Sequence, residues 1–295
     1  MRTISSGAFI RFSFVWFFSS LLVATADPVV SDSEEKMQAP GRMSVICQGV
    51  TFNQLTFSET LDVLSELGIG SIEAYRGQIL GAGFDEKTDF SSMSQAAKDC
   101  MKRLAKEKGI VIRHYGVAKG KTPEEWRKLF AFAVEMGIEA IISEPEYDEL
   151  KMVDALAQEY GVRVGIHNHA IPTKYWHPDI VLYHLRDLSD YIGISADTGH
   201  WVYSGLDPLE CIRKLSVLEG RIVEVQLKDL AGAKFVPFGT GESDIAGILR
   251  ELKRQNFSGP LTIEYFGKES IQDKIEEIGE SLEYLERVEY WMHLR

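Results

Sequence analysis

Cysteine is scarce in this sequence: Cys47, Cys100 and Cys211 are the only three in 295 residues. They are too few and too scattered for a disulfide framework, and no C-x-x-C pair offers a thiolate metal site. They read as mostly buried thiols, with room for one pair in an oxidising compartment. Long apolar runs are lacking too. Beyond residue 26 no stretch approaches the ~20 apolar residues that a membrane span needs. Positive charge is in deficit: 32 Lys and Arg face 44 Asp and Glu, a formal net charge of -12. Such a surface repels phosphate backbones and anionic head groups, and so argues against nucleic acid and membrane partners. Nor does a glycine-rich turn follow the first apolar run, since Gln48-Gly49-Val50-Thr51 lacks the spacing of a dinucleotide-binding fingerprint.

What is present begins with an export signature. Arg2 and Arg11 precede Phe12 to Val23, an uncharged and largely apolar run, and Ala24-Thr25-Ala26 supplies an A-x-A cleavage pattern before Asp27. Residues 1–26 are expected to be a secretory signal, which makes the protein periplasmic or secreted and free of the membrane once cleaved. Its loss removes two arginines and no acid, leaving 30 Lys and Arg against 44 Asp and Glu, near -14. Residues 27–42 have no hydrophobic period and are expected to be a flexible lead-in. Residues 43–290 suit one domain able to bury a core without cross-links.

Across that domain, short β-type runs alternate with helical segments. Ser44 to Gly49, Ile72 to Tyr75, Ile110 to Val117, Ala140 to Glu146, Val162 to Ile166, Tyr191 to Ala196, Ile222 to Leu227 and Leu261 to Tyr265 read as strands. Helix starts lie between them: Ser58-Glu59-Thr60, Thr122-Pro123-Glu124-Glu125, Pro178, Pro208 and Asp244. Eight β-α units imply a parallel sheet, and eight is the number that closes a barrel. In a barrel the chemistry gathers at the carboxyl ends of the strands, where Glu73, His114, Glu144, His167, His169, Asp197, Gln226 and Glu264 all fall.

One such residue would read as a cap or a satisfied polar group. Eight in register are costly at one mouth, because their clustered carboxylates raise one another's pKa and call for neutralisation, which a divalent cation supplies. Carboxylate, amide and imidazole donors without thiolate suit Mn2+, Mg2+, Zn2+ or Co2+. Gly239-Thr240-Gly241 either cradles a phosphate or lets its loop pass close to the site, with Asp244 as a helix cap. Lys228 either polarises a carbonyl or pairs locally with Asp229. Tyr75, Tyr115, Tyr175, Trp176, Trp201 and Phe238 either pack against sugar faces or wall off the barrel top.

Glu144-Pro145, His167-Asn168-His169, Asp197-Thr198-Gly199-His200, Gln226-Leu227-Lys228-Asp229, Gly239-Thr240-Gly241 and Ile263-Glu264-Tyr265 together resemble the xylose-isomerase-like TIM barrels, the sugar phosphate isomerase/epimerase group. The resemblance runs from Met43 to about Leu285. It implies a single-domain (β/α)8 barrel with one divalent ion on four side chains of the late strands, and two glutamates flanking the substrate as acid and base. The sixth-strand Asp matches Asp197 and the eighth-strand Glu matches Glu264. Two positions depart from the pattern: the common fifth-strand Glu falls on His167, and the common seventh-strand His falls on Gln226. The missing carboxylate is assigned to Glu144, as in members that carry Glu-Pro there and His-x-His next. The implied ligands are therefore Glu144, Asp197, Gln226 and Glu264, and the implied catalytic pair is Glu144 and Glu264. Glu73, His114, His167, His169, His200 and Lys228 are left to bind and orient substrate. An amide oxygen among the ligands favours Mn2+ or Mg2+ over Zn2+ or Co2+.

The implied activity is isomerisation or epimerisation of a sugar or keto-sugar, by proton transfer next to a carbonyl through an enediolate. The same enediolate can expel a leaving group, so a keto-sugar lyase or hydratase uses the same site. Export favours that version, because extracytoplasmic sugars are seldom phosphorylated. A non-catalytic sugar-binding barrel is the rival that Gln226 supports. A DNA-repair endonuclease of the same superfamily needs more His and carboxylate ligands and a surface that tolerates DNA, which the net charge opposes. An oligomer is compatible with each of these.

Overall fold

A computed structural model describes residues 43–268 and 270–293. The expected signal segment, 1–26, and lead-in, 27–42, lie outside the described residues. In chain order the strands are β1 (Val45–Gln48), β2 (Ser71–Ala74), β3 (Ile79–Gly81), β4 (Phe84–Lys87), β5 (Val111–Tyr115), β6 (Ala140–Ser143), β7 (Arg163–His167), β8 (Ile192–Asp197), β9 (Ile222–Leu227), β10 (Asp229–Ala231), β11 (Lys234–Val236) and β12 (Leu261–Ile263). Eight of them close a barrel in the order β1-β12-β9-β8-β7-β6-β5-β2, with every neighbouring pair parallel. The other four form two antiparallel hairpins, β3–β4 and β10–β11, in the connections that follow β2 and β9.

The barrel strands are short and rich in Val and Ile because they are covered on both faces, by the barrel interior and by the helices. β6, β8 and β9 are buried along their whole length. The helices start where their caps dictate. Thr122 accepts from the Glu125 amide ahead of Pro123, and Asp244 accepts from the Gly247 amide at 2.7 Å. The first helix, Phe57–Glu66, begins earlier than Ser58-Glu59-Thr60 suggests: Thr56 is its cap, and the Glu59 carboxylate accepts in return from the Thr56 amide. This reciprocal capping box satisfies two otherwise unpaired amides, so it outcompetes the later start. Cys47, Cys100 and Cys211 are all free and buried. None of the described helices is long and apolar enough to cross a membrane.

Because the eight strands are parallel, their carboxyl ends share one mouth. Register then stacks side chains in tiers: Asp197 lies level with Gln226, and Ser195 with Glu224 one step below. Thr262 of β12 pairs with Gln226 on its other side.

Candidate active site at the barrel mouth

Strand β9 supplies both tiers. Side chains two apart on a strand share a face, so Glu224 and Gln226, and Lys228 just beyond the strand, all point inward. Glu224 is fully buried and accepts from His114 Nδ1, Ser195 Oγ and Thr262 Oγ1, each at 2.7 Å, and from Gln226 Nε2 at 3.1 Å. His114 Nδ1 therefore carries a proton, because a carboxylate only accepts. Burial opposes ionisation, but the hydrogen bonds from His114, Ser195 and Thr262 hold the Glu224 carboxyl below the usual range. Glu73 beside it goes the other way: burial first, then the charges of Glu224 and Glu264, raise its pKa well above the ordinary value. Its Oε2 lies 3.4 Å from Gln226 Nε2, while Oε1 has no partner.

The mouth is built above this layer. Asp197 is fully buried and ends β8 while capping the short helix Thr198–Tyr203, its Oδ1 accepting from the His200 amide at 2.9 Å. A two-point clamp fixes its backbone: Asn168 Oδ1 accepts from Asp197 N at 2.8 Å and Asn168 Nδ2 donates to Asp197 O at 2.9 Å. The other carboxylate oxygen, Oδ2, contacts Lys228 Nζ and lies 3.6 Å from His167 Nε2 and 3.8 Å from His200 Nε2. Lys228 is only 3% exposed, and its Nζ also contacts Glu264 Oε2. Gly199 makes this possible: a Cβ there would sit 2.6 Å from Lys228 Cδ, so only glycine lets the short helix lie along the lysine stem. The choice left open between a local Lys228–Asp229 pair and a site role falls to the site.

On the far side of the ring, Glu144 follows β6, four strands away from Glu264 after β12, so the two carboxylates stand across the barrel from each other. Glu144 Oε1 accepts from His167 Nδ1 at 2.9 Å and contacts His169 Nδ1. Burial alone would raise the Glu144 pKa, but these imidazoles bring it down to about 2. His167 responds in kind: burial opposes its charge, yet hydrogen bonds to Asp197 and Glu144 raise it to about 9. His200 has no such support, and burial takes it down to about 4. Lys228 is raised above its usual value, because the charges of Asp197 and Glu264 outweigh burial. Its ammonium in turn outweighs burial at Asp197 and keeps that carboxyl ionised.

Of the site residues read from sequence, Glu144, His167, His169, Asp197, His200, Gln226, Lys228 and Glu264 converge at the mouth. Glu73 and His114, expected to bind substrate, lie in the layer beneath, 0% and 2% exposed and engaged with Gln226 and Glu224 respectively. They are withdrawn because a buried carboxylate demands donors, and Glu224 recruits His114. Glu224 itself is the buried carboxylate beneath the mouth that the sequence reading passed over, although the alternation Glu224, Gln226, Lys228 marks one inward face. The Gly239-Thr240-Gly241 loop does not cradle a phosphate. Asp229 already occupies its donors, accepting from the amides of Gly239 at 2.8 Å, Gly241 at 3.0 Å and Ser243 at 3.1 Å. Gly241 is required there, since a Cβ would meet Asp229 Oδ1 at 2.2 Å. Tyr115, Tyr175, Trp201 and Phe238 are buried and wall the barrel; Tyr75 and Trp176 are half-buried.

Two opposed glutamates, an Asp-Lys pair and three imidazoles thus stand at the mouth of a closed parallel barrel. A model of the xylose isomerase-like TIM barrel family matches residues 54–288. The chain belongs to that family. An inosose dehydratase of Clostridium perfringens is 29% identical over 150 residues, 42% of this chain, and the match spans about half (48%) of that relative's length. A solved structure from Parabacteroides distasonis is 37% identical with a TM-score of 0.68, covering 83% of this chain and 98% of its own. A D-tagatose 3-epimerase-like protein superposes with a TM-score of 0.68 at 18% identity, over 85% of this chain and all of its own. The IOLI protein, solved with a bound zinc atom, gives a TM-score of 0.67 at 15% identity, over 83% and 98%. These last two likenesses establish the shared fold.

The donor chemistry of this family member fits a divalent cation. His167, Asp197 and His200 each bring a donor atom, all within 4.8 Å of one another; Glu144, His167 and His169 do the same. His167 presents Nδ1–H to Glu144 and turns Nε2 toward Asp197, the carboxylate–imidazole arrangement that commonly backs a metal-ligating histidine. A third such group, Glu73, His114 and Glu224, is fully buried.

Proposed function

We propose that this protein is a divalent-metal-dependent sugar isomerase or epimerase that moves a proton next to a carbonyl through an enediolate. The observation that carries this reading is the pair of partly exposed glutamates, Glu144 and Glu264, facing each other across a mouth whose centre holds Asp197, His167, Gln226 and Lys228. Asp197 and Glu264, with Gln226 and with Glu144 either directly or through His167, would hold the ion, and His200 adds a donor atom. When bound, the ion supplies Lewis-acid polarisation of a substrate carbonyl and its neighbouring hydroxyl.

The chain's own residues do the rest. Glu264, 13% exposed and paired with Lys228, removes the proton on its side of the substrate, and Lys228 neutralises negative charge developing on oxygen. Glu144, which accepts the Nδ1 proton of His167 and contacts His169, relays that proton to the substrate on the opposite side. His169 and His200 line the open side of the mouth, 42% and 22% exposed, where they orient hydroxyl groups. His167, engaged by Glu144 and Asp197, holds the centre. Loss of a leaving group from the same enediolate gives a keto-sugar dehydratase, a second reading favoured by the relative named an inosose dehydratase. The export expected for the chain suits an unphosphorylated substrate under either reading.

The test is exchange from D2O into a panel of ketoses and inososes, followed by NMR, with Mn2+ supplied. Isomerase or epimerase action incorporates deuterium at carbon and yields an isomer of equal mass apart from the label; dehydration yields a product lighter by water. Glu264→Gln is expected to lower either rate by ~10²–10⁴-fold, the usual contribution of a general base. No exchange and no product with any member, in a protein that holds metal, would leave the non-catalytic sugar-binding reading in front.

A further inference from the structure

Gln226 stands where the resemblance expects a histidine, and an amide is ambiguous as a ligand: its oxygen accepts, its nitrogen donates. Here the surroundings remove the ambiguity. One end of the amide faces the Glu224 carboxylate, with Oε1 at 3.1 Å, and the Glu73 carboxyl group, with Oε2 at 3.4 Å. Both are fully buried, and Glu224 also takes the protons of His114, Ser195 and Thr262. Only an N–H2 group is stable against such an acceptor; an amide oxygen there would put acceptor against acceptor without water to separate them. The Gln226 oxygen is thereby turned the other way, 3.2 Å from His167 Nε2 and level with Asp197 in the barrel register. Two oxygen acceptors, Gln226 Oε1 and Asp197 Oδ2, thus gather beside His167 Nε2.

We propose that Glu224, assisted by Glu73, is a positioning residue that locks the Gln226 amide with its oxygen toward the mouth, so that Gln226 serves as an oxygen donor to the divalent cation. This rests on the metal site proposed above. It accounts for a feature that a structural role alone does not: a carboxylate sits inside a barrel with four hydrogen bonds, one of them to the Gln226 amide in the tier above.

A double-mutant cycle tests it, with Mn2+ alone as the probe and the electron paramagnetic resonance signal of free Mn2+ as the readout. Affinity is measured for the wild type, Glu224→Gln, Gln226→Met and the double variant, and thermal unfolding without metal checks that each is folded. The expected result is a ~10-fold or greater loss of affinity for Glu224→Gln in the presence of Gln226, in the range found for outer-shell partners of metal ligands, and no further loss from Glu224→Gln once Gln226→Met is present. Glu73→Gln, which keeps an acceptor oxygen in the layer and removes no native charge pair, provides a second variant should Glu224→Gln not fold; it is expected to weaken binding several-fold, again only when Gln226 is intact. Equal losses in both backgrounds, or no loss in either, overturn the proposal while leaving the metal site standing. Absence of Mn2+ binding by the folded wild type overturns both.

Discussion

Asp197 divides its two oxygens between architecture and chemistry. Oδ1 caps a helix, while Oδ2 meets Lys228 and two imidazoles. Lys228 is the counterpart of that second oxygen, and removing it leaves a buried carboxylate without its cation. Lys228→Met should therefore destabilise the metal-free protein by about 3–5 kcal/mol in urea unfolding, the range for breaking a buried pair on one side. Mn2+ should restore more stability to that variant than it adds to the wild type, because it can replace the lost charge. Glu73 makes a prediction in pH. Its folded pKa lies above the unfolded one, so its contribution to stability is fully present below the unfolded value of about 4.3 and falls by ~1.4 kcal/mol per pH unit from there up to the folded pKa. Glu73→Gln removes that slope. The variant should gain on the wild type steadily as pH rises through this window, as read by denaturant titrations at successive pH values; parallel curves would contradict the assignment.

Among the elements, the loop after β11 shows how one carboxylate orders a whole connection. Asp229 receives the amides of Gly239, Gly241 and Ser243 from across the loop. Asp229→Ala should strip all three of an acceptor, cost about 2–3 kcal/mol, and speed hydrogen exchange at those amides while the barrel strands stay protected. The glycines were readable as a loop that passes close to something, but not as one already filled, because a carboxylate ten residues upstream in sequence gives no local sign of being the occupant. Barrel strands and caps were legible for the opposite reason: Thr122-Pro123 and the Val-Ile runs act through neighbours in sequence. The hairpins β3–β4 and β10–β11 were not, since strands of three or four residues that are partly exposed carry too little apolar pattern to register. The candidate site was legible as far as strand ends allow. What sequence could not order was depth. Glu73 and His114 fall at strand ends like the mouth residues, yet they turn to Glu224 in the layer beneath, and that layer is set by register between strands far apart in the chain.

For the whole molecule, the barrel makes a mouth at which five strand ends deposit three carboxylates, three imidazoles, an amide and an ammonium. Membership of the xylose isomerase-like family and the donor set at this mouth bear on one claim, that a divalent cation completes it. Elemental analysis decides that claim most directly. Purified protein and Asp197→Ala are equilibrated with Mn2+, and in parallel with Zn2+, then freed of unbound metal, with circular dichroism to confirm the fold of each. The account predicts one ion per chain in the wild type and its loss in Asp197→Ala. A folded wild type that retains neither metal would contradict it.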